Sequence, residues 1–185
     1  MSDKELEIEL KLPVGDKAAL LAQLEQLGAD FTGEVTQDDI LFRCLAVDFE
    51  ALDQALRLRI ETKDGQTTSI LTYKGTPHYT DDGHKVRDEF ETAVTNPEMI
   101  QKILLATAFT QRPNERIFKT RRNYVLDDID IAVDELKFGT FIELEGTSEA
   151  IRALRTKLEL DNVEPVTRGY IFLQWDWEAE HGTGN

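Results

Sequence analysis

The chain has 185 residues, 36 acidic against 21 basic, giving a formal net charge of −15. Hydrophobic residues make up 41% and charged residues 31%, with 11 Gly and 5 Pro, which excludes collagen, low-complexity disorder and a disulfide scaffold. So acidic a chain also lacks the positive footprint that nucleic acid or an anionic membrane surface requires.

The single cysteine, Cys44, has no partner for an internal disulfide and reads as an inert buried thiol. The N-terminus, MSDKELEIEL, carries no basic-then-apolar leader, and no apolar run is long enough to span a bilayer. Together these point to a cytoplasmic protein.

Residues 5–12, ELEIELKL, alternate Leu6, Ile8, Leu10 and Leu12 with Glu5, Glu7, Glu9 and Lys11, the period of a strand with one fully charged face. Asp16 then predicts a helix N-cap, and Gly28 its end after Leu27. A second strand is predicted over 35–43 and a short helical turn over 48–54. Strands over 55–61 and 69–75 flank a Lys63-Asp64-Gly65 turn. Residues 76–84 read as a polar loop and 85–94 as a strand. Asn96-Pro97 predicts an N-cap with proline at the first helical position, opening a helix to about Thr107. Three strands follow, 116–126, 128–136 and 140–146. Thr147 or Ser148 opens a helix to about Leu160, and an aromatic helix runs from Thr167 to Trp177. No linker interrupts this pattern. It predicts one domain over 1–178, with 179–185 as a disordered tail, and an antiparallel α+β class.

The informative residues are those that alternate with the apolar ones. Glu7, Glu9 and Lys11 share a strand face, as do Arg57 and Arg59; Lys85, Arg87, Glu89 and Glu91; Lys119 and Arg121; Glu143 and Glu145. Lys74 ends another strand. Antiparallel sheets often turn one face to water, but such faces usually carry Thr, Ser, Gln and Asn, and these are nearly pure Glu, Lys and Arg. If the strands close into a barrel, one face of each points inward, and both charge signs fill one lumen. Buried unpaired charge is costly. Excess cations then call for an anion, and clustered carboxylates for a hard divalent metal, Mg²⁺ or Mn²⁺. A polyanion with such a metal is a phosphate chain.

These residues resemble the CYTH superfamily, the triphosphate tunnel metalloenzymes that include class IV adenylate cyclases and thiamine triphosphatases. The resemblance rests on Glu7-Ile-Glu9-Leu-Lys11, Ala55-Leu-Arg57-Leu-Arg59, Leu71-Thr-Tyr-Lys74-Gly75, Arg87-x-Glu89-x-Glu91, Lys119-x-Arg121-Arg122 and Asp134 with Phe141-Ile-Glu143-Leu-Glu145. The stretch from Gln37 to Arg57 is similar to the cyclase-like branch in particular. The resemblance implies an eight-stranded antiparallel β-barrel forming a tunnel, with helices packed outside. It implies Glu7, Glu9, Asp134, Glu143 and Glu145 as metal-side carboxylates, with Glu89 and Glu91 as further lumen carboxylates. It implies Lys11, Arg57, Arg59, Lys74, Arg87, Lys119 and Arg121 as triphosphate-binding cations, with Lys85 added by alternation. Lys11, Arg59 and Lys119 are the implied catalytic cations.

Three functions follow from this reading. The first is conversion of ATP to cyclic AMP and pyrophosphate. The second is hydrolysis of tripolyphosphate, thiamine triphosphate or a nucleoside triphosphate. The third is a non-catalytic polyphosphate or nucleotide binding module. Both reactions use the same charges, because phosphoryl transfer is mainly positioning and charge neutralisation. The partner is a small triphosphate in each case, and the chain is a monomer or a homodimer. His78, His84 and His181 lack metal-ligand spacing and read as surface residues. Tyr170, Phe172, Trp175 and Trp177 read as helix packing.

Overall fold

In chain order, a computed structural model gives β1 (Ile8–Val14), α1 (Lys17–Gln26), β2 (Asp30–Cys44), β3 (Ala55–Lys63), β4 (Gln66–Lys74), β5 (His78–Tyr79), β6 (Lys85–Val86) and β7 (Glu89–Ala93). There follow α2 (Pro97–Leu105), β8 (Phe109–Thr110), β9 (Arg116–Leu126), β10 (Ile129–Leu136), β11 (Gly139–Gly146), α3 (Ser148–Lys157) and α4 (Tyr170–His181). The structure describes residues 8–79, 85–112 and 115–182. Two compact units result: residues up to Val35 with Lys119–Gly169, and Thr36–Phe118 with the residues from Tyr170 onward. Strands β2 and β9 each run through both units.

In the first unit the strands follow the order β1-β11-β10-β9, antiparallel throughout. Alternation sends Leu12, Tyr124, Ile131, Val133, Ile142 and Leu144 to one face, where they are buried. Helices α1 and α3 cover that face with Leu20, Leu24, Ile151 and Leu154. Burying one such side chain fully is worth roughly 1.5–3 kcal/mol. The helices begin where their caps predict. Asp16 accepts from the Ala19 N–H at 3.0 Å and Thr147 from the Ala150 N–H at 3.2 Å. Helix α1 ends before Gly28, whose φ of +79° is costly for other residues. Past α3, the Val166 N–H donates to the Lys11 carbonyl on the β1 edge.

In the second unit the order is β2-β3-β4-β7, with β8 on β2. Ile40, Phe42, Leu56 and Leu58 form its core, and Ile100 and Leu104 of α2 pack against them. Asn96 caps α2 by accepting from the Met99 N–H at 2.9 Å. Asp64 and Gly65, both at positive φ, make the tight β3–β4 turn. Helix α4 docks through Gln174, which donates to the Arg116 carbonyl at 3.2 Å, and through Trp175, whose ring lies 5.3 Å from the Arg43 guanidinium.

Eight antiparallel strands with four helices match the expected α+β class. Within each unit the ladder is open among the described residues, so the word barrel describes the strands only loosely. Three boundaries also move. Strand β2 starts at Asp30 rather than 35. The strand expected over 85–94 is split, with β6 paired to β5 and β7 to β4. Helix α4 runs to His181, taking in the first three residues of the tail expected at 179–185. His181 stacks on Trp177 at 4.8 Å, and its Nδ1 lies 2.9 Å from the Trp177 carbonyl oxygen. Among the described residues no helix is long and apolar enough to cross a membrane.

Candidate functional site

Antiparallel register places directly paired residues and their second neighbours on one face. In the first unit Glu9 pairs with Glu145 and Lys11 with Glu143; Asp130 pairs with Glu145 and Asp134 with Arg121. The charged residues of all four strands therefore stand on the face opposite the apolar core.

Asp134 is the centre of this face. It is fully buried, yet the Lys119 ammonium donates to it at 2.7 Å and Arg121 grips both its oxygens at 2.7 and 2.6 Å. Arg121 also pairs with Glu143, and Lys11 lies 3.7 Å from Glu143. Burial alone pushes the Asp134 carboxyl up. The Arg121 hydrogen bonds and the charges of Lys119 and Arg121 outweigh that and hold it at about 2. Glu9 and Glu145 are exposed on the same face, beside Asp130. Glu7 lies outside the described residues.

The second unit has its own charged face. Arg59 donates Nε and Nη2 to the two oxygens of Asp39, at 2.6 and 2.7 Å. Arg57 is held more loosely, 3.7 Å from Asp39, 3.5 Å from the Thr72 hydroxyl and 3.9 Å from Glu91. Burial lowers the pKa of Arg57 and the Arg59 charge adds to this, against the pull of Asp39. Thr72, fully buried, donates to Glu91 at 2.7 Å, and Lys74 pairs with Glu89 at 2.8 Å. Arg87 stands apart, 3.9 Å from Asp53. The backbone of Lys85 pairs with Tyr79; its side chain lies outside the described residues.

The first unit thus brings together Lys11, Lys119, Arg121, Asp134 and Glu143, and the second Arg57, Arg59 and Glu91. Sequence reasoning passed over Asp39, Thr72 and Glu115. Glu115 is buried and receives Arg43 and the Arg112 N–H. Two signals were available for Asp39: its place in the Gln37–Arg57 stretch similar to the cyclase-like branch, and the Asp38-Asp39 pair inside a strand, where one carboxylate must face each way.

Among the described residues no three His, Cys, Asp or Glu side chains stand together in a geometry that would hold a metal ion. The donor chemistry of Glu9, Glu143 and Glu145 fits a hard divalent cation, since all are carboxylates on neighbouring strands. Asp134 fits less simply, because Lys119 and Arg121 already engage both its oxygens.

Comparison with known proteins shows the family and the fold. The family model of the CYTH domain matches residues 5–170. A Methanocaldococcus jannaschii protein, named as a candidate adenylate cyclase, is 35% identical over 155 residues, covering 83% of this chain and 84% of that one. The structure of a Pyrococcus horikoshii protein superposes with a TM-score of 0.76 at 27% identity, covering 92% of this chain and 99% of that one. A Hippeastrum protein, described as a candidate adenylyl cyclase with a dominant triphosphatase activity, shares the fold with a TM-score of 0.67 at 18% identity, covering 93% and 96% of the two chains.

Proposed function

The chain belongs to the CYTH domain family, and from that premise we propose that it is a divalent-metal-dependent enzyme that converts ATP to cyclic AMP and pyrophosphate. The observation that carries this reading is the burial of the cations. Lys11, Arg57, Arg59, Lys119 and Arg121 keep one-fifth or less of their side-chain surface exposed, on faces turned away from the apolar cores. A merely solvated sheet face would leave such side chains in water. Support for the cyclase reaction comes from the name of the M. jannaschii relative.

In this mechanism the arginines grip phosphate oxygens in pairs and the lysines act as point charges. Asp134 orients Lys119 and Arg121, so their charge is in place before the transition state forms. The ribose 3′-hydroxyl gives its proton to solvent as its oxygen bonds to the α-phosphorus, and the bond from that phosphorus to the bridging oxygen breaks, so pyrophosphate leaves. Lys11 in the first unit, and Arg57 and Arg59 in the second, are the further cations proposed to neutralise phosphate charge. Glu7, Glu9, Glu143 and Glu145 are the carboxylates proposed to hold Mg²⁺ or Mn²⁺, and Asp134 enters that set with its charge already divided between two cations. Once bound, the metal supplies further charge neutralisation and makes the attacking hydroxyl more acidic.

The second reading is hydrolysis of a triphosphate; its support is the triphosphatase activity described for the Hippeastrum protein, which shares the fold. One experiment separates the readings: incubation with ATP and with tripolyphosphate, each with Mg²⁺ or Mn²⁺, and chromatography of the products. Cyclic AMP with pyrophosphate supports the first. Orthophosphate release supports the second. Binding with no product leaves a non-catalytic module.

A further inference from the structure

On the charged face of the second unit, one carboxylate serves two arginines unequally. Asp39 stands directly opposite Arg59 across the β2–β3 ladder and takes both of its facing donors in a bidentate bridge. Arg57, two residues along the same face, receives only a long contact from Asp39 at 3.7 Å. Its Nε is buried and meets no acceptor among the described residues. A buried guanidinium donor left unmet is expensive, and an incoming oxyanion satisfies it. Without a carboxylate between them, two guanidinium groups this close would also repel each other.

We propose that Asp39 is a positioning residue: it locks Arg59 and offsets one of two adjacent positive charges, leaving Arg57 with donor capacity for a phosphate oxygen. The inference rests on the triphosphate reading above and goes beyond it by dividing the work between the two arginines. Thr72 completes the arrangement, with its hydroxyl between Arg57 and Glu91.

The neighbouring residue supplies a control. Asp38 points to the other face of β2 and is buried to a similar degree, 8% exposed against 7% for Asp39. It forms its own bidentate bridge, to Arg116, with Nε at 2.5 Å. A merely structural role for Asp39 therefore predicts that D39N and D38N behave alike.

The test measures urea unfolding and steady-state kinetics of D39N, D38N and D39E, with whichever of ATP and tripolyphosphate the wild type turns over with Mg²⁺. Both asparagine variants should lose comparable stability. Only D39N should lose kcat, tenfold or more, with KM unchanged or lower, because a loosened, uncompensated cation still attracts ground-state phosphate. D39E, which keeps the charge one methylene further out, should recover part of kcat. Matching kcat and KM in D39N and D38N overturns the proposal. If D39N does not fold, wild-type kcat in D39E overturns it equally. A wild-type protein that neither binds nor turns over either triphosphate overturns the functional reading and this inference with it. An active wild type with matching asparagine variants removes the inference alone.

Discussion

Replacing Asp134 with asparagine keeps the side-chain volume and removes one charge from the most buried ion cluster described. Lys119, only 2% exposed, and Arg121 then lose their shared carboxylate. The size of the effect follows from the carboxyl's acidity. An Asp that titrates at about 2 when folded and at 3.8 otherwise contributes about 2.5 kcal/mol at neutral pH. Stranding a buried partner cation raises the cost to roughly 3–5 kcal/mol. The sign of the pH dependence is fixed. The folded-state pKa is depressed, so the stabilisation is complete well above 3.8 and is lost as pH falls through about 2. The variant has no such group. Urea unfolding of both proteins from pH 7 to pH 2 should therefore show a gap that stays constant down to about pH 5 and then narrows. About 2 kcal/mol of it should close by pH 2. Taking the difference between the two proteins cancels the other carboxylates that titrate in the same range. A gap that stays the same from pH 7 to pH 2 would refute the argument.

Three further outcomes are expected. E9Q and E143Q should each abolish metal-dependent turnover while circular dichroism reports a folded protein, since a hard cation loses a charged ligand; near-wild-type rates at low metal would remove the assignment. K119A and R121A should each lower kcat/KM by the equivalent of roughly 2–4 kcal/mol, the scale for a lost preorganised donor, and an unchanged kcat/KM in either would take that cation out of the site. Tripolyphosphate with Mg²⁺ should raise Tm clearly, by the equivalent of about 2.7 kcal/mol at a hundredfold excess over Kd, with orthophosphate giving much less. Sodium chloride at matched ionic strength giving the same shift would mean simple screening of a solvated face.

The caps at Asp16, Asn96 and Thr147 were legible because a cap is a local event: one side chain meets a backbone N–H three residues on. The alternation of charge and apolar side chains was legible for the same reason, and it separated the charged faces from the two cores. What a strand pairs with is not local. The early start of β2 was hidden because residues 30–34 are exposed apart from half-buried Gly33, with Phe31 56% accessible, so no burial pattern marks them. The link between Asp134 and Arg121 depends on the β9–β10 register, and the role of Asp39 on the β2–β3 register; neither spacing is written in the chain. The aromatic C-terminal segment read as packing and His181 as a surface residue; His181 is exposed, and its stack on Trp177 depends on the helix running past Trp177.

Strand β1 pairs along its whole length with β11, from Ile8 opposite Gly146 to Val14 opposite Thr140. On the ribosome, Ile8 therefore emerges 138 residues before its partner Gly146. At about 5–20 residues per second, that is a wait of roughly 7–28 s. An apolar strand left unpaired for so long invites pairing with a neighbouring nascent chain. Here Glu9, Lys11 and Pro13 alternate with the apolar residues, so the charges of the polar face, with a proline after them, also act as gatekeepers during synthesis. Exchanging Glu9 for an apolar residue should therefore reduce the soluble yield in cells well beyond its effect on the equilibrium stability of the folded protein.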